Sequence, residues 1–227
     1  MVAQVICALQ RKGGACKSTM LQCIAGRMGK DGAKVLLVDT DDQKSCIEWA
    51  EEQEIENVDT VAHLDEDTIL DLIERAKDRY DVVMIDTAGF DSRMASYVIQ
   101  TANLILIPSG PSKSMIKGAA KTWQHAKIST QNNRTPPTIR LVVWGVKKNT
   151  AVYKHALETV KNAQIPTISN HVGHLTGFEA MSWNGGLPVG SASSALNQFV
   201  ASMQIEGLLE FYKDANKTKE EVTRGAA

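Results

Sequence analysis

Residues 12–19 read Lys-Gly-Gly-Ala-Cys-Lys-Ser-Thr and follow directly on the apolar run of residues 2–9. A glycine-rich turn that leaves a strand and opens a helix presents backbone N–H groups to an anion. A lysine followed by Ser-Thr at the start of that helix suits a nucleoside triphosphate, with Lys17 for the β- and γ-phosphates and Ser18 for Mg2+. Gly13, Gly14, Ala15, Cys16 and Thr19 complete the cradle. Two residues are unusual: Lys12, ahead of the glycines, and Cys16, where a glycine is expected. Two later segments extend the chemistry. Residues 35–43 read Val-Leu-Leu-Val-Asp-Thr-Asp-Asp-Gln, and residues 80–89 read Tyr-Asp-Val-Val-Met-Ile-Asp-Thr-Ala-Gly. Each ends an apolar run on a carboxylate, Asp39 and Asp86. A carboxylate at the end of a buried strand, facing a phosphate loop, can hold Mg2+ directly or through water. Either one alone reads equally well as a helix cap or a turn residue; the three segments in this order read as one nucleotide site.

Elements that would position these groups alternate along the chain. Apolar runs at 2–9, 35–38, 82–85, 104–107 and 139–146 read as strands, with shorter ones at 58–62 and 166–169. Pro108 is expected to stop its strand. Helical spacing marks 18–30, with Met20, Leu21, Ile24 and Met28 on one face, then 45–54, and 66–79 with Ile69, Leu72, Ile73 and Ala76. Further helices are expected at 112–128, 150–163, 178–183 and 195–212, and one capped by Asp91 running to about Thr101. Repeated βα units with continuous apolar strands imply an α/β fold: a single-domain, mostly parallel twisted sheet with helices on both faces. Ligands of such sheets gather at the C-terminal strand ends, where residues 10–17, Asp39, Asp86 and Pro108 all fall. One domain is expected over 1–215, with a polar tail over 216–227.

With 227 residues, 43% of them hydrophobic, the chain can fill a sizeable core. It has no apolar run of the roughly 18 residues a membrane span needs, and residues 2–9 read as a strand rather than a signal peptide. Cys7, Cys16, Cys23 and Cys46 form no C-x-x-C pair and stand at no metal-ligand spacing with a histidine, which points to a reduced cytoplasmic setting. His171 and His174 read as structural. The formal net charge of −1 conceals an asymmetry. Residues 1–100 carry 11 Lys/Arg and 19 Asp/Glu, whereas residues 101–200 carry 10 Lys/Arg and only Glu158 and Glu179. So strong a depletion of acids suggests a polyanionic partner, although a merely solvated basic face would show the same composition.

The stretch from Lys12 to Thr19 resembles the deviant Walker A motif of the ParA/MinD ATPases. Residues 35–43 resemble their Walker A′ segment and residues 80–89 their Walker B segment. Residues 107–118 resemble the turn before the family's dimer-side helix, and Phe178-Glu179-Ala180 with Gly186 and Val189 resembles its C-terminal pattern. The resemblance, closest to the small ParA-type partition proteins, implies a P-loop fold, ATP and Mg2+ as cofactors, and slow, partner-stimulated hydrolysis. It further implies that Lys17 holds the β/γ phosphates and that Lys12 reaches across a dimer interface to the partner's ATP. Ser18 would bind Mg2+ and Thr19 the α-phosphate. Asp41 would position the attacking water, and Asp39 and Asp86 would support the metal shell.

Three departures from the family pattern stand out. Cys16 replaces a glycine, Asp42 a proline after Asp41, and Ala88 a proline after Asp-Thr. A thiol at a helix N-terminus between two lysines is expected to have a lowered pKa, so Cys16 reads either as redox-sensitive or as neutral drift. The chain has no N-terminal helix-turn-helix, so site recognition would fall to a separate adaptor or centromere-binding protein. Non-specific DNA would bind a homodimer in its ATP state through Lys113, Lys117, Lys121, Lys147, Lys148 and Lys154. The resulting expectation is a nucleoid-associated ATPase that segregates plasmid or other DNA. The alternatives are a positioning ATPase for a protein complex or DNA-transfer machinery, and an ATP-dependent ligase on the same scaffold. Residues 213–227 lack the basic amphipathic character of a membrane-lying helix, so no membrane role is expected.

Overall fold

The computed structural model describes residues 2–89 and 92–212. Six strands form one sheet: β1 (Gln4–Ala8), β2 (Val35–Asp39), β3 (Val58–Ala62), β4 (Val82–Asp86), β5 (Leu104–Ser109) and β6 (Thr138–Val143). Their order is β3-β2-β4-β1-β5-β6, and every pairing is parallel. Parallel strands covered on both faces need apolar side chains at successive positions. Accordingly β1, β2, β4 and β5 are buried throughout, while β3, at one edge, is partly exposed.

Among the described residues, these helices cover the sheet: α1 (Lys17–Lys30), α2 (Ser45–Glu52), α3 (Ile69–Lys77), α4 (Arg93–Thr101), α5 (Lys113–Thr130), α6 (Ala151–Asn162), α7 (Thr176–Asn184) and α8 (Gly190–Ile205). Successive strand side chains point to opposite faces, so β1 alone feeds two cores. Ile6 and Ala8 join the layer under α1, α2, α7 and α8, whereas Val5 and Cys7 join the layer under α3, α4, α5 and α6. Trp144, just past β6, packs against Phe178 of α7 at 5.2 Å and edge-on against Phe199 of α8 at 5.4 Å, closing the first layer.

Four expectations change. Pro108 does not stop β5, which runs to Ser109. The Leu106 carbonyl accepts from the Leu9 N–H, so backbone groups two residues on, at Pro108, face the same side, where pairing with β1 has already ended at Leu106. The missing N–H of Pro108 therefore costs no ladder bond to β6. Residues 166–169 make a single bridge, Leu141 to Thr167, and not a strand. The helix expected at 195–212 begins earlier, at Gly190, and ends at Ile205, with Gly207 left-handed just beyond it. Finally, α4 is capped by Ser92, whose side chain accepts from the Ala95 N–H. Asp91, expected to be that cap, and the tail over 216–227 lie outside the described residues. Among the described residues no helix is long and apolar enough to cross a membrane.

Candidate functional site

Register alone brings the acidic strand ends together. Asp39 of β2 is paired with Asp86 of β4, and Asp86 is paired on its other side with Ala8 of β1. The loop leaving β1 therefore emerges beside both carboxylates. It folds back through two left-handed residues, Gly14 (φ 71°) and Cys16 (φ 61°, ψ 33°), and delivers the chain to α1. The first intrahelical bond runs from the Met20 N–H to the Cys16 carbonyl, so the N–H groups of Lys17, Ser18 and Thr19 precede any helical acceptor. No side chain caps α1 and its first turn holds no acid, whereas Ser92, Ser112 and Thr150 cap α4, α5 and α6. This helix start is open to an anion by both hydrogen bonding and dipole.

The carboxylates behave differently from each other. Ser18 Oγ donates to Asp86 Oδ2 at 2.5 Å, and the Cys46 thiol donates to the same oxygen at 3.5 Å. Asp86 Oδ1 is buried with no hydrogen-bond partner among the described residues. Burial pushes the Asp86 carboxyl up to about 6, against the opposing pull of the Ser18 hydroxyl and the Lys17 ammonium. A buried carboxylate oxygen left unpaired is costly, and a divalent cation beside Ser18 would satisfy it. Asp39, by contrast, spends both oxygens on backbone: Oδ1 accepts from the Asp41 N–H at 3.0 Å and Oδ2 from the Cys46 N–H at 2.8 Å. It ties residues 41–46 down against β2. Asp41 lines the cleft above the loop, its Oδ1 accepting from the Gln43 N–H at 3.0 Å.

Residues 13–19 line a cleft of about 660 Å3 whose far wall is Trp49, Phe178, Glu179 and the exposed Trp183. A second lobe of about 310 Å3 opens from the same loop and is lined by Met115, Trp144, Leu175 and Phe178. Lys12 lies outside the ring of cleft residues. Its stem runs over α5, where a Cβ added to Gly118 would come within 3.3 Å of Lys12 Cγ. Lys113, Lys117 and Lys121 follow one another at helical spacing on α5, Lys147 and Lys148 occupy the turn after β6, and Lys154 lies on α6; all six are exposed.

Cys16 departs from its expected chemistry. Its side chain packs against the core under α1, and burial raises its pKa. Burial disfavours the charged thiolate. Cys46 carried no expected role, yet its thiol reaches Asp86, and Asp39, Cys46 and Asp86 bring potential ligand atoms within 4.8 Å of one another. Its spacing gave no sign of this, because β2 and β4 meet only in the sheet. Gln10 was also silent in the sequence. Buried after β1, it donates from Nε2 to the Pro108 carbonyl at 3.0 Å and accepts the Arg11 N–H at Oε1, fixing the loop's departure. His171 accepts or donates at Tyr153 Oη, 2.7 Å away, and His174 lies 3.6 Å from Glu179, in keeping with structural roles.

Comparison with known proteins places this geometry. A family model described as VirC1 protein matches residues 3–208. The protein ParA of Rhizobium radiobacter is 33% identical over 108 residues, covering 47% of this chain and 49% of that protein. The protein virC1 of Rhizobium rhizogenes is 28% identical over 134 residues, covering 56% and 58%. The chain thus spans about half the length of the curated relatives it matches. Among solved structures, a putative plasmid partition protein of Borrelia burgdorferi bound to AMPPNP superposes with a TM-score of 0.69 at 17% identity, covering 89% of this chain and 98% of that one. A chain of the MinC:MinD cell division complex of Aquifex aeolicus gives 0.73 at 18% identity, covering 90% and 96%.

Proposed function

Because the chain belongs to the VirC1 protein family and has the fold of ParA- and MinD-type ATPases, we propose that it hydrolyses ATP, dimerises around it and binds DNA in that state. The observation that carries the ATPase reading is the unpaired, buried Asp86 Oδ1 beside Ser18, at the foot of an uncapped helix that begins with Lys17.

In this reading the N–H groups at the start of α1 and the Lys17 ammonium hold the β- and γ-phosphates, with Thr19 on the α-phosphate. Ser18 and Asp86 would hold Mg2+, which would supply neutralising charge to the phosphates during transfer. Asp39 acts through backbone, holding Asp41 over the cleft, where its carboxylate orients the attacking water. The apolar lobe lined by Met115, Trp144, Leu175 and Phe178 takes the base. Lys12, whose stem lies beside Gly118 of α5 outside the lining of its own cleft, serves the nucleotide of a second copy, as a cation supplied in trans. ATP then belongs to the interface, and its hydrolysis releases the dimer. The exposed lysines of α5, the turn after β6 and α6 carry the DNA phosphates without base reading. A separate adaptor selects the cargo, either a plasmid or other DNA, or a protein or DNA-transfer assembly, in the cytoplasm along the nucleoid.

Duplex binding measured with ATP, with ADP and without nucleotide, at low and at high salt, tests the reading. Binding confined to ATP and weakened by salt is expected. Binding indifferent to nucleotide would remove the switch, and no binding in ATP at low salt would leave a protein cargo. Asp41→Ala is expected to trap an ATP-bound dimer in gel filtration; a monomer there would contradict the shared interface.

A further inference from the structure

Away from the cleft, α5 and α6 leave a furrow between them. Near their N-termini it deepens into a cavity of about 570 Å3, with Ile116, Val152 and Ala156 as its apolar walls. Near their C-termini it deepens again, to about 430 Å3, against Trp123, Ile128 and Ile165. Like ends of the two helices line each cavity, so the helices run side by side in one direction. The furrow follows the 18 residues of α5, or about 27 Å at 1.5 Å per residue. Val152 and Ile128 are 58% and 55% exposed, one at each cavity.

The charged groups around it share one sign. Lys113 and Lys117 line the first cavity, and Lys127, whose ammonium lies 5.0 Å from the Trp123 ring, lines the second. Neither lining contains a carboxylate, and no Asp or Glu occurs anywhere from residue 92 to residue 157. We propose that this furrow is a docking groove for an amphipathic, acidic helix of a protein partner. An apolar stripe at i, i+3/i+4 spacing would fill the two cavities, and flanking Asp or Glu would meet the lysines. A DNA backbone matches the lysines but gains nothing from an apolar floor recessed between two helices. Charge complementarity and the paired cavities therefore favour a protein helix on the furrow floor, with Lys113 and Lys117 at its rim able to meet either that helix or DNA phosphates. The inference is independent of the nucleotide reading, since it uses no residue of the cleft.

Fluorescence anisotropy on the full chain tests it with a labelled 20-residue peptide carrying Leu at i, i+3, i+4 and i+7 and Glu elsewhere. A scrambled peptide of the same composition and a version with Lys for Glu serve as controls. The acidic amphipathic peptide is expected to bind at least tenfold more tightly than either control. Val152→Asn, a change at an exposed position, is expected to weaken the peptide at least fivefold and to leave 20-base-pair duplex binding within twofold. Equal binding of the scrambled peptide, no binding of the acidic one, or a Val152→Asn effect within twofold would each overturn the groove. Loss of duplex binding in Val152→Asn by the same factor as peptide binding would assign the furrow to DNA.

Discussion

At the scale of single residues the site holds two costs that a ligand or a substitution can relieve. Cys16 is left-handed at φ 61°, a conformation that costs a residue with a Cβ about 1 kcal/mol or more. Its side chain also packs on the core, so removing the thiol and removing the Cβ are separable. Cys16→Gly is expected to exceed Cys16→Ala in stability by about 1 kcal/mol, read by urea unfolding; equal stabilities would mean that the loop relaxes around either residue. Asp86 holds the second cost. Its folded pKa of about 6 stands above the ordinary carboxylate value, so the folded state binds the proton more tightly than the unfolded one. Stability without nucleotide therefore falls as pH rises from about 4 to about 6 and recovers on acidification. The full effect is about 3 kcal/mol, at about 1.4 kcal/mol per pKa unit. Asp86→Asn is expected to flatten this dependence in urea titrations at pH 4, 5, 6 and 7; an unchanged slope would place the titration elsewhere.

At the scale of elements, close approach explains what the helices tolerate. A Cβ on Gly29 of α1 would lie 2.2 Å from the Glu56 carbonyl oxygen, part of the backbone entering β3, while one on Gly26 would meet the flexible end of Leu187 at 2.9 Å. Asn57 Nδ2 also donates to the Gly29 carbonyl at 3.0 Å, holding the edge strand against α1. Gly29→Ala is expected to cost about 2–3 kcal/mol in thermal or urea unfolding and Gly26→Ala clearly less, because backbone cannot step aside as a side chain can. Elements were legible in the sequence where burial repeats. Val35–Asp39 and Val82–Asp86 read as strands because both faces are covered, and α1 reads as a helix because Met20, Leu21, Ile24 and Met28 share a face. The start of α8 was not legible, since Gly190-Ser-Ala-Ser-Ser has no apolar period. Nor was the bonding of Cys46 to Asp86 or of Gln10 to Pro108, because both depend on which strands become neighbours. The raised Cys16 pKa was not legible either, because its thiol packs on a core assembled from segments far along the chain.

At the scale of the molecule, sheet order turns a charge asymmetry along the chain into one across space. With β3, β2 and β4 on one side of β1 and β5 and β6 on the other, the acidic strand ends of β2 and β4 and the basic residues between Lys113 and Lys161 lie toward opposite sheet edges. A polyanion approaching such a body is steered to one side. If DNA phosphates are held at the basic side without base reading, each contact releases counterions, and the logarithm of the binding constant falls with the logarithm of salt concentration by about 0.9 per phosphate neutralised. Lys113, Lys117 and Lys121 share one stripe of α5, and no acid on the same helix offsets them. Replacing all three by Gln is expected to lower the salt slope of duplex binding in ATP by about 3 and to weaken binding equally for duplexes of unrelated sequence. A weakened affinity with an unchanged slope would mean that these lysines act on the protein's own state, through the dimer contact proposed at Lys12, and not on phosphates. A slope reduced for one sequence only would mean that this face reads bases, which no arrangement of exposed lysines on a single helix stripe would account for.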